Sequence, residues 1–445
     1  MALPEMRIRM VGEDGMSADQ AAPAERRSPY SIPPVAEILA SPRNGLVAVS
    51  TFSGCGGSCL GLRWAGWRVA WANEFLPNAA ASYRANFPDT PLDGRDIRSV
   101  SANDILAATG IGEGGIDLLE GSPPCSDFSM AGRREKGWGK ERAHGDGSFG
   151  RSDDLFMEWL RLADELRPRA LWAENVVGLT RGVARGLFND VMRRVRSLGY
   201  RAKAAILDAS RFGVPQERRR VFVVGVREDL GADPAFPDPC PWRYSVRDAL
   251  PWIGRAEIFA RGDDSFRGGM RTLDGCAPTV CASSPDGMEL RAVLDDGYGP
   301  AVDITNRPCP TVRASRSSML KVEPEAALRG RIANEWGGLR PGETHPEIYT
   351  LRKADPDAPS PTIAASWGTS GSMAQTVHPF ERRRFSIAEL RRICGFPDDF
   401  ALAGSFAQQW ARLGNSVAPP VARALGARLA GILLSARRDG EPGGP

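Results

Sequence analysis

Histidine and lysine are scarce in this sequence, and its cysteines do not form paired motifs. The 445 residues include three His, eight Cys and only five Lys, and no Cys-x-x-Cys pair occurs. Structural zinc sites are built from closely spaced Cys and His ligands, so this spacing argues against a metal centre. It also argues against a disulfide framework in a chain of this length, and we expect the reducing environment of the cytoplasm.

Long apolar runs and a strong charge of one sign are also missing. No stretch reaches the roughly 18 to 20 uninterrupted apolar residues that span a bilayer, and residues 1–20 lack the apolar core of a secretory signal. The net charge of +3 excludes a uniformly positive chain, although positive charge is concentrated in residues 133–142, 311–331 and 379–394. We expect a soluble protein of two or three domains with no membrane partner.

Short apolar strands alternate with helical segments through residues 43–227. The strand-like runs are 46–52, 68–72, 116–119, 170–173, 203–207 and 220–226. This alternation predicts an α/β fold with a doubly wound, mostly parallel sheet. In such sheets ligands bind beyond the carboxyl ends of the strands, and the unusual residue groups of this sequence lie there.

A glycine-rich turn, 53–57, follows the first strand. Cys59 stands where the dinucleotide-binding fingerprint has its third glycine. About 20 positions later, Glu74 could accept hydrogen bonds from a ribose, and Asp96 with Ile97 could hold an adenine amino group against an apolar surface. A lone glycine cluster is more often an ordinary βα turn, but together with these acids it favours an adenosine-containing cofactor.

Two further strand ends carry reactive side chains. Cys125 follows Pro123 and Pro124 and precedes a polar loop, which favours an exposed nucleophile over a buried structural cysteine. No His lies nearby, so a thiolate there would depend on backbone donors and cationic side chains. Glu174 ends an apolar strand, where a partly desolvated carboxylate suits hydrogen bonding to a ring nitrogen; capping the next helix is an equal alternative.

An arginine-rich segment, 216–220, precedes the last of these strands. Alternate side chains of a strand face the same way, which would group Gln216, Arg218 and Arg220. The alternative is a solvated, charged edge.

Taken in order, these strings resemble the DNA (cytosine-5)-methyltransferase family. The matching strings are TFSGCGGS, NE, RDI, GSPPCSDFS, ENV, QERRR and GNSV, in the family's order and across roughly residues 46–436. The resemblance implies an S-adenosyl-methionine-dependent fold with a smaller target-recognition domain. It also implies methylation at C5 of a cytosine flipped out of duplex DNA, through a covalent adduct at C6.

The resemblance assigns roles to individual residues. Cys125 matches the nucleophile that adds to C6, and Glu174 matches the carboxylate that engages N3 and the amino group. Arg220, and less fully Arg218, match the arginines that support the base. The positions that match cofactor contacts are Phe52, Gly54, Gly56, Gly57, Glu74, Asp96, Ile97, Pro124, Leu155 and Asn415.

The same resemblance organises the chain and its partners. We expect a flexible arm (1–42), a catalytic and cofactor-binding domain (43–227), a target-recognition domain (228–400), a returning C-terminal segment (401–437) and a tail (438–445). The expected partner is duplex DNA, with a cognate restriction endonuclease as a further candidate. We expect a monomer without a metal, acting on the nucleoid in the cytoplasm.

Several features depart from the family pattern or are ambiguous. Ser126 follows the nucleophile where many members carry a larger side chain, and the basic loop 126–154 is a candidate lid over DNA. The charged window 379–394 could be a solvated helix face. A Pro-Thr-Val/Ile pattern recurs at 277–283, 309–315 and 360–366. The third copy stands where the family carries a Pro-Thr before its Arg-rich helix, and we interpret the first two as repeated structural turns rather than base-reading loops.

Three other functions compete with this interpretation. A tRNA-methylating relative would keep the Cys and Glu, but the long variable region before Gly414 favours duplex DNA. Intact Cys125, Glu174 and Arg220 argue against a catalytically silent DNA-binding relative. A dinucleotide oxidoreductase would leave the PPC and ENV strings unexplained.

Overall fold

The structure is a computed structural model that describes part of the chain. The described residues are 9–10, 28–124, 142–143, 149–150, 155–253, 326–328, 330–348, 351–365 and 375–440. Cys125, Ser126, most of the loop that follows them and the first two Pro-Thr repeats lie outside these residues.

Fourteen strands are described, and eight of them form one central sheet. The strands are β1 (Arg9–Met10), β2 (Val47–Thr51), β3 (Arg68–Asn73), β4 (Leu92–Asp93), β5 (Leu118–Gly121), β6 (Arg142–Ala143), β7 (Phe149–Gly150), β8 (Ala170–Val176), β9 (Tyr200–Asp208), β10 (Gln216–Glu217), β11 (Arg219–Arg227), β12 (Leu351–Lys353), β13 (Ser360–Pro361) and β14 (Gln375–Val377). The order in the central sheet is β1-β9-β11-β8-β5-β2-β3-β4.

The central sheet is mostly parallel, which confirms the predicted fold class. Its antiparallel strand is β11, which lies between β8 and β9 and runs opposite to both. The connection from β9 to β11 is too short to hold a crossover helix, and a parallel neighbour would need one. The chain therefore returns directly alongside β9.

Helices cover both faces of the sheet. They are α1 (Val35–Leu39), α2 (Gly57–Trp64), α3 (Pro77–Asn86), α4 (Ala102–Thr109), α5 (Leu155–Leu166), α6 (Arg185–Ser197), α7 (Val246–Ala249), α8 (Gly330–Glu335), α9 (Ile387–Ile393), α10 (Phe406–Asn415) and α11 (Pro419–Gly440). One apolar core joins Trp172 and Phe222 of the sheet to α2, α9, α10 and α11. The other joins Leu171 and Val223 to α4, α5 and α6.

The C-terminal helices pack directly on the start of the sheet. A Cβ atom at Gly61 of α2 would overlap the carbonyl oxygen of Pro419, so only glycine allows this close approach. The indole of Trp67 donates to the carbonyl of Gly426 at 3.0 Å. The stretch Phe406–Ala436 is long and apolar enough to cross a membrane, but 61% of its most apolar window is buried inside the protein. Its apolar side chains thus belong to the core.

Part of the predicted flexible arm is instead ordered. Residues 35–39 form α1, whose Ile38 is fully buried. The backbone N–H of Val35 donates to the Asp399 carboxylate at 3.0 and 3.1 Å, which ties this segment to the C-terminal region. Arg9 and Met10 pair in parallel with β9. The composition of residues 1–42 concealed these contacts because they are made to distant parts of the chain.

Candidate active site

The centre of the sheet provides a crevice for ligands. After β1 at one edge, the chain enters the centre of the sheet at β2, moves outward through β3 and β4, and then returns to β5 on the other side of β2. Connections therefore leave β2 and β5 in opposite directions, and a crevice opens beyond their carboxyl ends. The glycine turn 53–57 follows β2, and residues 122–124, which lead to Cys125, follow β5.

The three predicted glycines of the turn are required for different reasons. Gly54 has a φ of +59°, and a Cβ there would meet no described atom within 4 Å. At Gly56, by contrast, a Cβ would overlap the ring of Phe87, and at Gly57 it would overlap the carbonyl oxygen of Val417. Among the described atoms, Gly54 is therefore the glycine that faces open space, whereas Gly56 and Gly57 pack closely against Phe87 and Val417. The preceding Phe52 also has a positive φ of 53°.

Glu74 closes the glycine turn from the end of β3. Its carboxylate accepts hydrogen bonds from the backbone N–H of Gly54 at 2.8 Å and of Leu76 at 2.7 Å. Beside it the ring of Phe75 is 46% exposed, one of the large apolar side chains left uncovered among the described residues. Sequence reasoning missed Phe75, although an aromatic residue next to the predicted ribose acid was a usable signal.

Asp96 and Ile97 occupy a neighbouring loop, where their side chains already have partners. The Asp96 carboxylate accepts from the backbone N–H of Arg98 at 3.0 Å and from its guanidinium at 2.9 Å. The Ile97 side chain is buried in the core beside α5. The loop is fixed to β3 by Asn73, whose amide donates to the carbonyls of Asp93 and Arg95.

Two more predicted cofactor positions frame the crevice. Pro124 is exposed just before Cys125, and Leu155 begins α5 with 8% of its surface exposed. A hydrogen bond joins this region to β8, because the side-chain amide of Asn175 donates to the carbonyl of Pro123 at 3.1 Å. Asn175 thus fixes the turn that leads to Cys125 next to Glu174.

Glu174 and Arg220 form a buried ion pair at the ends of β8 and β11. Glu174 is 6% exposed, and its Oε1 lies 3.0 Å from Nε of Arg220. Beyond this ion pair, Oε1 has no hydrogen-bond partner in the described part of the chain. The carboxylate is therefore held by charge while one oxygen keeps its capacity to bond a further group.

Arg218 is buried and acts on a different partner. Its guanidinium donates to the carbonyl of Gly414 at 2.7 Å, next to the exposed Asn415 at the end of α10. Burial, and secondarily the nearby charge of Arg220, lowers the pKa of Arg218 to about 9. The predicted alternation is confirmed, because Gln216 and Arg218 are buried, Arg220 is half-buried against Glu174, and the intervening Arg219 is exposed; a solvated edge is the wrong interpretation of this segment.

The third Pro-Thr repeat joins these two regions. Its strand β13 pairs in parallel with β10, and the Thr362 hydroxyl donates to the carbonyl of Glu217. The indole of Trp410 on α10 donates to the carbonyl of Ala364 at 2.9 Å. This repeat is a structural element that links the arginine segment to α10, a place that the sequence did not indicate; the two copies interpreted as structural turns lie outside the described residues.

The charged window 379–394 is not a solvated helix face. The Arg383 guanidinium is buried and binds both carboxylate oxygens of Glu389. Arg392 pairs with Asp398 and covers the ring of Trp252. These cations stabilise the fold, so fewer positive charges of this window are available to a ligand than its net charge suggests.

A family model described as C-5 cytosine-specific DNA methylase matches residues 46–249 and 305–431. The chain belongs to this family. It therefore transfers a methyl group from S-adenosyl-methionine to C5 of cytosine in DNA, which confirms the resemblance and favours DNA over tRNA as the substrate.

Individual relatives cover most of this methyltransferase. Type II methyltransferase M.SacI of Streptomyces achromogenes is 30% identical, over 79% of this chain and 80% of its own. Type II methyltransferase M.AgeI of Thalassovita gelatinovora is 27% identical, over 85% of this chain and 97% of its own. A solved structure, described as a DNA modification methyltransferase encoded within a prophage of E. coli, shares the fold. The TM-score between the two structures is 0.59, and their sequences are 23% identical. The match covers 87% of this chain and 99% of the other.

Proposed function

We propose that this enzyme methylates one cytosine within a specific sequence of duplex DNA, and that Cys125, Glu174 and Arg220 carry the reaction. The observation that carries the proposal is the buried Glu174–Arg220 pair, joined through Asn175 to the turn that leads to Cys125. The proposal brings the nucleophile to the carboxylate and the guanidinium on the β8 side of the crevice that opens beyond β2 and β5.

The chemistry of cytosine explains these residue types. Its C5 atom is too electron-poor to attack an electrophilic methyl group directly. Addition of the Cys125 thiolate to C6, with the proton that the thiol releases taken up at N3 and the resulting N3–H bonded to Glu174, converts C5 into an enamine carbon that is nucleophilic. After transfer, loss of the C5 proton and expulsion of the thiolate restore the aromatic ring and the enzyme.

Glu174 and Arg220 prepare the site before the base arrives. Arg220 holds the carboxylate in place, while the free capacity of Oε1 provides the position for a ring N–H. A buried charge pair keeps its strength because water is excluded. Arg218 is a positioning residue, since it holds the Gly414 carbonyl next to Asn415.

The residues around the glycine turn fit S-adenosyl-methionine. Gly54 faces open space, the Glu74 carboxylate lies beside it, and the uncovered ring of Phe75 offers a flat apolar surface to an adenine. When bound, the cofactor supplies the electrophilic methyl group. Phe52, Gly56, Gly57, Asp96, Ile97, Pro124, Leu155 and Asn415 complete the proposed pocket, the glycines through their backbone.

The names of the relatives extend the proposal to the enzyme's setting. Both M.SacI and M.AgeI are called Type II methyltransferases, so we assign this chain the modification role in a restriction-modification pair. Its partner would be an endonuclease that reads the same sequence. We further propose that it acts as a monomer on the nucleoid in the cytoplasm.

Base-resolution methylation mapping tests the proposed function. Plasmid DNA incubated with enzyme and S-adenosyl-methionine should carry 5-methylcytosine at one recurring sequence, and total tRNA should stay unmodified. Duplex DNA with 5-fluorocytosine at that position should form a denaturation-resistant adduct with the wild type but not with Cys125→Ala. The variant Cys240→Ala is the control, because Cys240 is a free cysteine that lies outside the proposed site. Full activity of Cys125→Ala would refute the assignment of the nucleophile.

A further inference from the structure

The buried carboxyl group of Glu120 has no part in the chemistry proposed above. Glu120 lies on β5 and is 1% exposed. Ser50 on β2 and Trp172 on β8 are in register with it, so the three side chains share one face of the sheet. Glu174 lies two residues beyond Trp172 on the same face, and its charge acts on Glu120.

Glu120 binds the glycine turn from both sides. The Ser50 hydroxyl, before the turn, is hydrogen-bonded to Oε2 of Glu120 and lies 2.8 Å from the Ser53 hydroxyl. Ser58, in the first turn of α2, bonds the same carboxyl group. One buried acid is therefore connected to both ends of the turn that we assign to the cofactor.

Within the described part of the chain, the groups that act on Glu120 include no cationic side chain. Along the strands and helices described around it, the groups that face it are the Ser50 and Ser58 hydroxyls, the Cys59 thiol and the Glu174 carboxylate. The more distant groups that face Cys59 are the Tyr83 hydroxyl on α3 and the Arg63 guanidinium on α2.

Opposing effects act on the protonation of Glu120. The two serine hydroxyls favour the ionised carboxylate, while burial and the Glu174 charge oppose it. Burial is the largest effect and raises the pKa of Glu120 to about 7. Near neutral pH the buried acid is thus divided between its neutral and charged forms, and a small change in nearby charge shifts that division.

We propose that Glu120 makes the cofactor site prefer the charged methyl donor over its neutral product. The sulfonium of S-adenosyl-methionine is a cation, and the thioether of S-adenosyl-homocysteine is not. A carboxylate that lacks a cationic partner attracts that positive charge through a medium from which water is excluded. This inference rests on the proposed placement of the cofactor at the glycine turn.

Donor binding and ionisation of Glu120 are then coupled. A nearby sulfonium stabilises the carboxylate, so binding releases a proton from Glu120 to the solvent. By linkage, affinity for the donor rises with pH through the range in which Glu120 titrates. The neutral product, which shares every other group of the donor, lacks this dependence.

Titration calorimetry measures the coupling directly on the full-length enzyme. S-adenosyl-methionine should bind about five- to tenfold more tightly near pH 8.5 than near pH 6, the change that a shift of one pKa unit gives. S-adenosyl-homocysteine should change less than about twofold. The number of protons released on binding is obtained by repeating the titrations in buffers of different ionisation enthalpy. Equal proton release for donor and product at neutral pH would overturn the proposal.

Substitution of Glu120 provides the second test. Glu120→Gln keeps the shape of the side chain without its charge, so the preference for donor over product should fall about tenfold at high pH and the pH dependence should vanish. Glu113→Gln, in the exposed loop before β5, is the matched control and should behave as wild type. A Glu120→Gln enzyme with unchanged donor preference and pH profile would refute the role of Glu120.

The outcomes separate this inference from the proposed function. Failure of either ligand to bind would contradict the cofactor site itself. Binding of both without a difference in proton release contradicts only the role of Glu120. If Glu120→Gln does not fold, the proton count on the wild-type enzyme still decides the question.

Discussion

The side-chain amide of Asn175 donates a hydrogen bond to the carbonyl of Pro123 at 3.1 Å. This contact joins the end of β8 to the end of β5, 52 residues apart in sequence. It places Glu174 beside residues 122–124, which lead to Cys125. The position of this turn relative to Glu174 therefore depends on one buried amide.

Asn175→Ala should slow methylation without weakening cofactor binding. Loss of this hydrogen bond leaves the Pro123 carbonyl without its partner and allows the turn before Cys125 to move. Because small misplacements of a reacting group are costly, we expect kcat to fall about ten- to a hundredfold while donor affinity stays within about twofold. Steady-state kinetics and calorimetry check the two quantities.

The matched control for Asn175 is Thr180→Val. Thr180 lies in the same segment, but its hydroxyl donates locally to the carbonyl of Val177. We expect kcat to remain near the wild-type value. Equal loss of activity in both variants would show that the segment, rather than the Asn175 contact, is responsible.

Arg220→Met should destabilise the fold as well as the reaction. The substitution leaves the Glu174 carboxylate, 6% exposed, without its cation, and removing one partner of a buried pair costs about 3–5 kcal/mol. Adding Glu174→Gln to Arg220→Met should recover most of that loss, because no unpaired charge is then buried. Chemical denaturation measures all three free energies of unfolding.

Arg219→Met provides the comparison for this pair. Arg219 is the preceding residue on the same strand, but its side chain is 54% exposed and pairs with Asp208 at 3.3 Å. The Asp208 carboxylate is only 5% exposed, but it keeps hydrogen bonds from the backbone N–H and the hydroxyl of Ser210, so loss of the exposed guanidinium should cost only about 0–1 kcal/mol. A cost for Arg219→Met as large as that for Arg220→Met would contradict the burial argument.

Glu120 should make stability depend on pH. Its pKa is raised in the folded protein, so its contribution is full below the pKa of the unfolded chain and is lost as the pH rises to about 7. Relative to wild type, Glu120→Gln should gain up to about 3 kcal/mol between pH ~4.5 and pH ~8. Denaturant titrations across this range measure the difference, and parallel curves for the two proteins would contradict it.

Gly61→Ala should separate α2 from α11. The added Cβ would overlap the Pro419 carbonyl oxygen, and overpacking of this kind costs about 1–3 kcal/mol. Gly112→Ala is the control, since a Cβ there meets no described atom within 4 Å. Thermal unfolding should show a lower midpoint for Gly61→Ala alone.

The amino-acid sequence by itself determined the fold class and the strings that carry the chemistry. Apolar periodicity and turn residues are local properties, so the six longer strands of the central sheet and the shared face of Arg218 and Arg220 could be predicted from them. The family followed from the order of those strings. The role of Gly57 could not be predicted, because this glycine packs against the carbonyl oxygen of Val417, which lies 360 residues away in the sequence.

Only the tertiary structure decided how these residues act on one another. The Asn175–Pro123 contact, the Arg218–Gly414 contact and the buried environment of Glu120 all join distant segments. The burial of a side chain depends on which distant segments pack around it, so it cannot be predicted from the local sequence. For the same reason the positive charge of residues 379–394, counted from the sequence, proved to be bound within the fold.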